Sequence, residues 1–429
     1  MGAFSLHVFA RAFGRASTEY IRRKCALFLC IEDGLRRSNM GVLEDFMQSA
    51  IDRRCFISCL FGVAFTSSVV GQGKSTMEYC SVEDGKKKRT LGQFFTKGDC
   101  WLRPQIEKFI VESGNHIAYD PFAGDGCLLR KAQEDIDSIK QIIGLDIDKF
   151  LGWKWNDSLE NIPHVDDAII ITNPPYLSNY SARRKRINES LEKYFNKTDY
   201  DDVYLIALDR MIEAQKNVVA IIPETFINSS YRQKSKLNSI SILEENPFQD
   251  TDTPVVVVCF DGKEKNFEKI SIYKDSNYIC TLKDLEESRI RPTGNVDMRF
   301  NAKDGWLAVR CVDSTNPNDM LRFGFKKDID YDWESGIKVS SRLLTLIDID
   351  IPKEKRKRFI MCCNKILNDI RNKSRDLILS PFKGNMKNGV RRRRLDFYTC
   401  RAIIEKAYEI VIQKEAKAMY KQGNLWEFV

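Results

Sequence analysis

The sequence predicts an α/β protein whose centre is a doubly wound, largely parallel sheet. One observation is an apolar strand that runs into a glycine-rich turn and a helix, the usual first crossover of such a sheet. The other is a series of later apolar strands that end in an acidic residue or a turn motif. With 429 residues, 43% hydrophobic and 30% charged, the chain is long enough for two domains and differs in composition from disordered or membrane-embedded proteins.

The first crossover is predicted from a strand at residues 116–120, a turn at 121–126 and a helix at 127–134. The turn reads Pro-Phe-Ala-Gly-Asp-Gly. Its glycines, Gly124 and Gly126, allow a ligand to approach the backbone closely and allow dihedral angles that a Cβ atom would forbid. The N-terminus of the following helix suits a carboxylate or a phosphate.

A second strand is predicted at residues 141–146 and ends in Asp146. An acid at the end of the second strand of a doubly wound sheet is placed to hold a ribose diol by paired hydrogen bonds. The turn and this acid together predict a nucleoside-containing ligand.

A third strand, residues 168–172, runs into Asn173-Pro174-Pro175-Tyr176. The two prolines stiffen the turn and have no N–H to donate, so acceptors and an aromatic ring point outward. The Asn173 side-chain oxygen and the Pro174 carbonyl can accept both hydrogens of an amino group, while Tyr176 stacks on the ring that carries it. This tetrapeptide therefore predicts chemistry on a planar amine.

Two more buried strands are predicted at residues 217–223 and 254–260. Asn246-Pro247-Phe248 lies in the segment between them, and on its residue type alone Phe248 is a candidate core phenylalanine.

Charge is distributed unevenly along the chain. Residues 351–429 carry 20 basic and 8 acidic side chains, although the whole chain has a net charge of only +8. This asymmetry suggests nucleic acid as the partner, and the basic clusters at 353–358 and 391–394, which stand near aromatic residues, are either phosphate contacts or an ordinary solvated surface. A loop is predicted at 383–389 and an amphipathic helix at 396–421.

The first 76 residues have a different composition. Arginine outnumbers lysine eight to two there, which indicates an appended segment, either a start codon placed too early with Met77 as the true beginning or a mitochondrial presequence. Residues 55–73 lack charge, but their Ser, Thr, Gly and Gln content disfavours a membrane span. Gly73-Lys74-Ser75 imitates a phosphate-binding loop, yet Ser68 stands where that loop needs its first glycine.

The cysteines and histidines predict neither a disulfide framework nor a metal site. The 13 cysteines are scattered, no CxxC pair occurs, and the chain has three histidines. These features favour a reducing compartment, the cytoplasm.

Residues 90 to 262 resemble the N6-adenine DNA methyltransferases that use S-adenosylmethionine. A block of the form GQFFTP in that family is matched by residues 91–96, with Lys97 in place of the proline. The resemblance implies that Asp146 binds the cofactor ribose, that Asp157 binds the amino group of the cofactor adenine, and that Phe248 stacks on the target base opposite Tyr176. The cofactor-binding residues implied are Phe95, Thr96, Asp120, Pro121, Phe122, Ala123, Gly124, Gly126, Asp146, Ile147, Asp157 and Ser158. The catalytic residues implied are Asn173, Pro174, Pro175, Tyr176 and Phe248, and the DNA-binding candidates are Arg391, Arg392, Arg393, Arg394, Lys383 and Lys387.

The resemblance also implies a domain organisation and an activity. Residues 1–76 would be an extension, 77–265 a Rossmann-like methyltransferase domain, and 266–429 an α+β target-recognition domain. The expected activity is site-specific adenine methylation of duplex DNA (EC 2.1.1.72) by a cytoplasmic monomer without a stable membrane partner. A cognate restriction endonuclease would be its genetic partner.

Three alternatives stay open on the sequence alone. The same tetrapeptide serves enzymes that methylate RNA bases or protein glutamine, and a non-catalytic nucleic-acid-binding relative would keep the fold. The block at 91–96 and the long basic C-terminal region favour DNA. Neither flank is long enough to add a nuclease domain.

Overall fold

The computed structural model describes residues 100–180, 183, 188–248, 252–334 and 343–413. The appended segment and the block at 91–96, including Phe95 and Thr96, lie outside the described residues. All described residues fall within one compact unit. Within these ranges, no helix combines the length and the apolar character needed to cross a membrane.

A nine-stranded mixed sheet forms the centre of the molecule, in the spatial order β3-β2-β1-β4-β5-β7-β6-β8-β9. The first five strands of that order run parallel, and β7 is antiparallel to both of its neighbours. The strands are β1 Ile117–Asp120, β2 Gln141–Asp146, β3 Lys154–Trp155, β4 Ala168–Thr172, β5 Val218–Pro223, β6 Leu237–Ile242, β7 Val255–Phe260, β8 Ser271–Lys274 and β9 Asn277–Thr281. The predicted α/β class with a doubly wound, Rossmann-like sheet is confirmed.

Helices cover both faces of this sheet, as the alternation along β4 requires. Ile169 and Ile171 pack into one apolar cluster, whereas Ile170 packs into the cluster on the opposite face. Every residue of β4 is buried, which explains why it reads as a continuous apolar run rather than as an alternating strand. The helices that accompany the sheet are α1 Pro104–Glu112, α2 Cys127–Asp135, α3 Asn188–Phe195, α4 Val203–Ala214 and α5 Leu282–Glu287.

The C-terminal region adds a four-stranded antiparallel sheet, a two-stranded hairpin and two helices. The four-stranded sheet has the order β10-β13-β11-β12, and β14 pairs with β15 in the hairpin. The elements are β10 Arg299–Phe300, β11 Leu307–Arg310, β12 Arg322–Phe325, β13 Leu344–Asp348, α6 Arg356–Ser374, β14 Ser380–Asn385, β15 Arg391–Arg394 and α7 Phe397–Tyr408. Asp396 caps α7 by accepting the Thr399 N–H at 2.8 Å, and a π-helical turn, Glu409–Gln413, follows the helix.

The central sheet continues beyond residue 265, where the sequence places the start of the recognition domain. Strand β8 pairs with β6, and β9 pairs with β8, although both follow that residue. Core residues of the two regions, such as Val258 and Phe359, also belong to one apolar cluster. The boundary at 265 therefore falls inside the sheet.

Candidate functional site

The glycine turn after β1 is covered by an indole ring. Gly124 has φ +55° and Gly126 φ +76°, values that favour glycine. A Cβ atom on Gly126 would come within 2.6 Å of the Trp153 ring. Trp153 Nε1 also donates to the Gly124 carbonyl at 2.9 Å, so the ring fixes the turn as well as covering it.

Asp120 ends β1 at the start of this turn and is 1% exposed. Its Oδ1 accepts from Thr172 Oγ1 at 2.5 Å and from the Phe122 N–H at 2.9 Å. Burial raises the pKa of Asp120 to about 7, against the lowering effect of both hydrogen bonds. The Thr172 bond joins the ends of β1 and β4, and so joins the turn to the tetrapeptide.

Asp146 ends β2 beside the same turn, where the sequence predicts it. Its two carboxylate oxygens each accept one backbone N–H, from Gly124 at 2.9 Å and from Asp148 at 2.8 Å. Burial raises the pKa of this carboxyl as well. Each oxygen keeps a second lone pair that can accept from a ligand hydroxyl. Ile147 follows and is 53% exposed, as an apolar surface next to the acid.

Asp157 is anchored by two residues of α3 that sequence reasoning did not identify. Its Oδ2 accepts from the Tyr194 hydroxyl at 2.6 Å and from Lys193 Nζ at 3.0 Å. Burial raises the pKa of Tyr194 to about 12, so this phenol stays a donor at neutral pH. Ser158 Oγ donates to the Pro121 carbonyl at 2.6 Å, which ties the Asp157 segment to the glycine turn. No local signal in the sequence marks Lys193 or Tyr194, since they act across 36 and 37 residues.

The tetrapeptide leaves β4 at the same edge of the sheet. The Tyr176 hydroxyl oxygen lies within hydrogen-bond distance of Asn173 Oδ1 and 2.7 Å from the Ile221 carbonyl. A hydroxyl carries one hydrogen, so it donates to one of these oxygens at a time. Burial raises the pKa of Tyr176, which keeps the phenol neutral. Pro174 is buried and Pro175 is half-buried.

Phe248 lies beside the tetrapeptide. The Phe248 and Tyr176 ring centroids are 6.0 Å apart and the ring planes are inclined by 69°. Phe248 is 5% exposed, and its N–H donates to Asn246 Oδ1 at 3.0 Å. The structure therefore brings the two rings together in an edge-to-face contact. A flat base between them would require one ring to turn.

The arginine run 391–394 forms β15, and two of its four side chains pair with one buried carboxylate. Arg391 and Arg393 both pair with Glu224, a carboxylate that is 1% exposed. The prediction that all four arginines contact DNA therefore does not fit Arg391 and Arg393, because side chains two residues apart on a strand share a face, and here that face is turned inward. The alternation of side chains along a strand could have shown that Arg391 and Arg393 share a face. Sequence reasoning missed their partner, Glu224.

The other DNA-binding candidates differ in exposure. Lys383 and Lys387 are exposed on the hairpin of β14 and β15. Arg392 Nε donates to the Asp313 carbonyl at 2.7 Å, and its guanidinium lies 4.9 Å from the centroid of the Phe382 ring. Arg394 is half-buried.

One family model matches the central part of the chain. Residues 132–251 match the family model of the Eco57I restriction-modification methylase. This range contains β2, the tetrapeptide and Phe248, so the predicted resemblance to restriction-modification methyltransferases is confirmed for these residues. No curated protein matches the sequence.

Solved structures of methyltransferases show weaker similarity. The methyltransferase subunit of a type I restriction-modification system from Streptococcus thermophilus is 16% identical over 48% of this chain and 55% of its own, with a TM-score of 0.33. The M protein of the type I restriction enzyme EcoKI is 13% identical over 63% of this chain and 70% of its own, with a TM-score of 0.27.

Proposed function

We propose that this restriction-modification methylase transfers a methyl group from S-adenosylmethionine to N6 of an adenine flipped out of duplex DNA. One observation carries the proposal: the tetrapeptide Asn173-Pro174-Pro175-Tyr176 leaves β4 directly beside the glycine turn that follows β1. An acceptor set for an amino group therefore lies next to a turn suited to a nucleoside cofactor.

The residues around the turn fit that cofactor. Asp146 would hold the ribose hydroxyls with the lone pairs that the Gly124 and Asp148 N–H groups leave open. Asp157 would accept from the adenine amino group, since Tyr194 and Lys193 fix the orientation of its carboxylate. Bound S-adenosylmethionine supplies a methyl group on a positively charged sulfur.

The tetrapeptide would orient the target amine. Asn173 Oδ1 and the Pro174 carbonyl would accept its two hydrogens, which turns the nitrogen lone pair out of conjugation and toward the methyl group. An amide oxygen has two lone pairs, so Asn173 can accept from the substrate and from Tyr176 together. Extrusion of the base exposes an amino group that pairing otherwise occupies.

DNA is favoured as the substrate by the methylase match and by charge. The basic C-terminal region brings Lys383 and Lys387 to the surface of a hairpin, where they suit phosphate contacts. A restriction endonuclease as the genetic partner is the corresponding expectation.

Methylation of unmodified DNA tests the proposal directly. The purified chain is incubated with plasmid DNA free of adenine methylation and S-adenosylmethionine labelled in its methyl group, and the DNA is digested to nucleosides. We expect label in N6-methyldeoxyadenosine. RNA and a protein substrate with glutamine side chains are offered in parallel. Label found only in one of these would make that molecule the substrate instead of DNA. No label in any of the three would refute the proposal.

Asn173→Ala identifies the site of the reaction. We expect its turnover to fall by at least about 10² to 10³, the usual effect of removing one preorganised polar contact to a reacting group, while cofactor affinity stays nearly unchanged. Asn161→Ala, at an exposed asparagine, is the matched control. More than a tenth of wild-type turnover in Asn173→Ala would contradict the role of the amide.

A further inference from the structure

A buried carboxylate links the arginine strand to the end of β5. Glu224 comes directly after β5 and is 1% exposed. Its Oε2 lies 3.1 Å from Arg391 Nη1, and its Oε1 pairs with Arg393 Nη1. Two guanidinium groups therefore neutralise one buried carboxylate, which would be costly to leave unpaired.

Arg391 also contacts the start of the segment that carries Phe248. Its Nη2 donates to the Leu243 and Glu244 carbonyls, at 3.2 Å each. These carbonyls begin the connection between β6 and β7, in which Phe248 lies four residues after Glu244.

The far end of the same connection is held by the backbone of the same glutamate. The Glu224 N–H donates to the Pro254 carbonyl at 2.9 Å. The two ends also meet each other, since the Leu243 N–H donates to the Val255 carbonyl at 3.3 Å. One ion pair, Arg391 with Glu224, thus contacts both ends of the connection.

The strand that carries Arg391 is itself fixed from behind. Asp313 accepts the Arg393 N–H at 2.9 Å through Oδ2, and its own N–H donates to the Arg393 carbonyl at 3.0 Å. Arg371 Nη1 donates to Asp313 Oδ1 at 3.0 Å, and both side chains are buried. These hydrogen bonds hold β15, the strand that carries Arg391, in place.

We propose that Arg391 is a positioning residue for Phe248, and that it couples the hairpin of β14 and β15 to the base pocket. The proposal rests on the proposed function. The planar fork of Arg391 reaches the carboxylate with one nitrogen and the two carbonyls with another, whereas a lysine carries all of its donors on a single nitrogen. DNA bound by the exposed lysines would contact the hairpin of β14 and β15. The same hairpin carries Arg391, which holds Phe248 beside Tyr176.

Arg391→Lys separates positioning from charge, because it keeps the positive charge and removes the fork. We expect amide hydrogen exchange in a peptide covering residues 243–255 to become faster. We also expect kcat on plasmid DNA to fall at least about tenfold, since a shift of about 1 Å in a supporting group can cost about 10²-fold in rate. The dissociation constants for cofactor and for DNA should change less than twofold.

Arg401→Lys is the matched control. Arg401 also joins two carbonyls, of Val296 and Met298, to a carboxylate, that of Glu405, but it does not contact the Phe248 connection. We expect wild-type exchange at residues 243–255 and wild-type kcat. Glu224→Gln, which keeps the shape of the side chain, is the second variant if Arg391→Lys does not fold, and it should accelerate exchange in the same peptide.

The outcomes distinguish this inference from the proposed function. Wild-type exchange and wild-type kcat in Arg391→Lys would overturn the positioning role. A loss of DNA affinity at unchanged kcat would also overturn it and make Arg391 a phosphate contact. If the wild-type chain methylates no DNA, the proposed function fails, while the exchange measurement still decides whether Arg391 holds the connection.

Discussion

Asp120→Asn should remove a pH dependence of stability that a single buried carboxyl creates. Asp120 accepts hydrogen bonds from Thr172 and Phe122, yet burial raises its pKa from 3.8 to about 7. A carboxyl with a higher pKa in the folded than in the unfolded chain binds more protons when folded. Its contribution to the free energy of unfolding is therefore fully present below about pH 4 and is lost as pH rises toward about 7.

The size of the effect follows from the two pKa values. One pKa unit corresponds to about 1.4 kcal/mol, so this carboxyl should lower the free energy of unfolding by about 2 to 3 kcal/mol between pH 5 and pH 8. Asparagine has no charge at any pH and fills nearly the same space. The variant should therefore gain about that much relative to wild type over this range. Asp202, whose pKa burial also raises, is present in both proteins and cancels in the comparison, whereas Asp146 repels ionised Asp120 and so contributes to the raised pKa that Asp120→Asn removes.

Urea unfolding followed by tryptophan fluorescence at pH 5, 6, 7 and 8 measures the difference. Asp137→Asn, at an exposed carboxyl, is the control and should follow wild type at every pH. If the difference in free energy between Asp120→Asn and wild type is the same at pH 5 and pH 8, the reasoning from burial is wrong. Binding of positively charged S-adenosylmethionine should tighten with pH more in wild type than in Asp120→Asn, because the cation favours an ionised carboxyl and the variant keeps Asp146 but not Asp120.

Two further predictions concern ligand binding. Asp146→Ala should weaken the binding of S-adenosylmethionine by about 1.5 to 3 kcal/mol in calorimetry, the usual value of hydrogen bonds to a charged group. The control Asp135→Ala, at an exposed acid, should bind the cofactor like wild type. Equal affinities of the two variants would refute the ribose assignment. Replacing Lys383 and Lys387 together by alanine should make the slope of log DNA affinity against log salt shallower by about 2, at about 0.9 per phosphate, and an unchanged slope would show that these lysines face only solvent.

The first half of the central sheet could be predicted closely from the sequence. Strand β2 was expected at 141–146 and β4 at 168–172, and both have these bounds in the structure. They are legible because a buried parallel strand is a continuous apolar run, and because functional turns with Gly, Asp or Pro mark its end. The tetrapeptide and Asp146 stand at such strand ends, so the sequence marks their positions in the fold for the same reason.

Long-range polar contacts could not be predicted in this way. Glu224 and Arg391 are 167 residues apart, and nothing beside either residue indicates the other. The run 391–394 was interpreted by its total charge, although strand alternation turns Arg391 and Arg393 inward. Strands β8 and β9 were missed as parts of the central sheet because they are short and incompletely buried, so their apolar pattern is weak.

The indole of Trp153 has a consequence for how this site can vary among homologues. A Cβ atom at Gly126 or at Gly144 would collide with that ring, although the two glycines belong to the turn and to β2. A larger residue at either position thus requires a smaller one at 153, and that smaller residue would lose the hydrogen bond to the Gly124 carbonyl. Homologous sequences should therefore show these three positions changing together, as a covarying triplet.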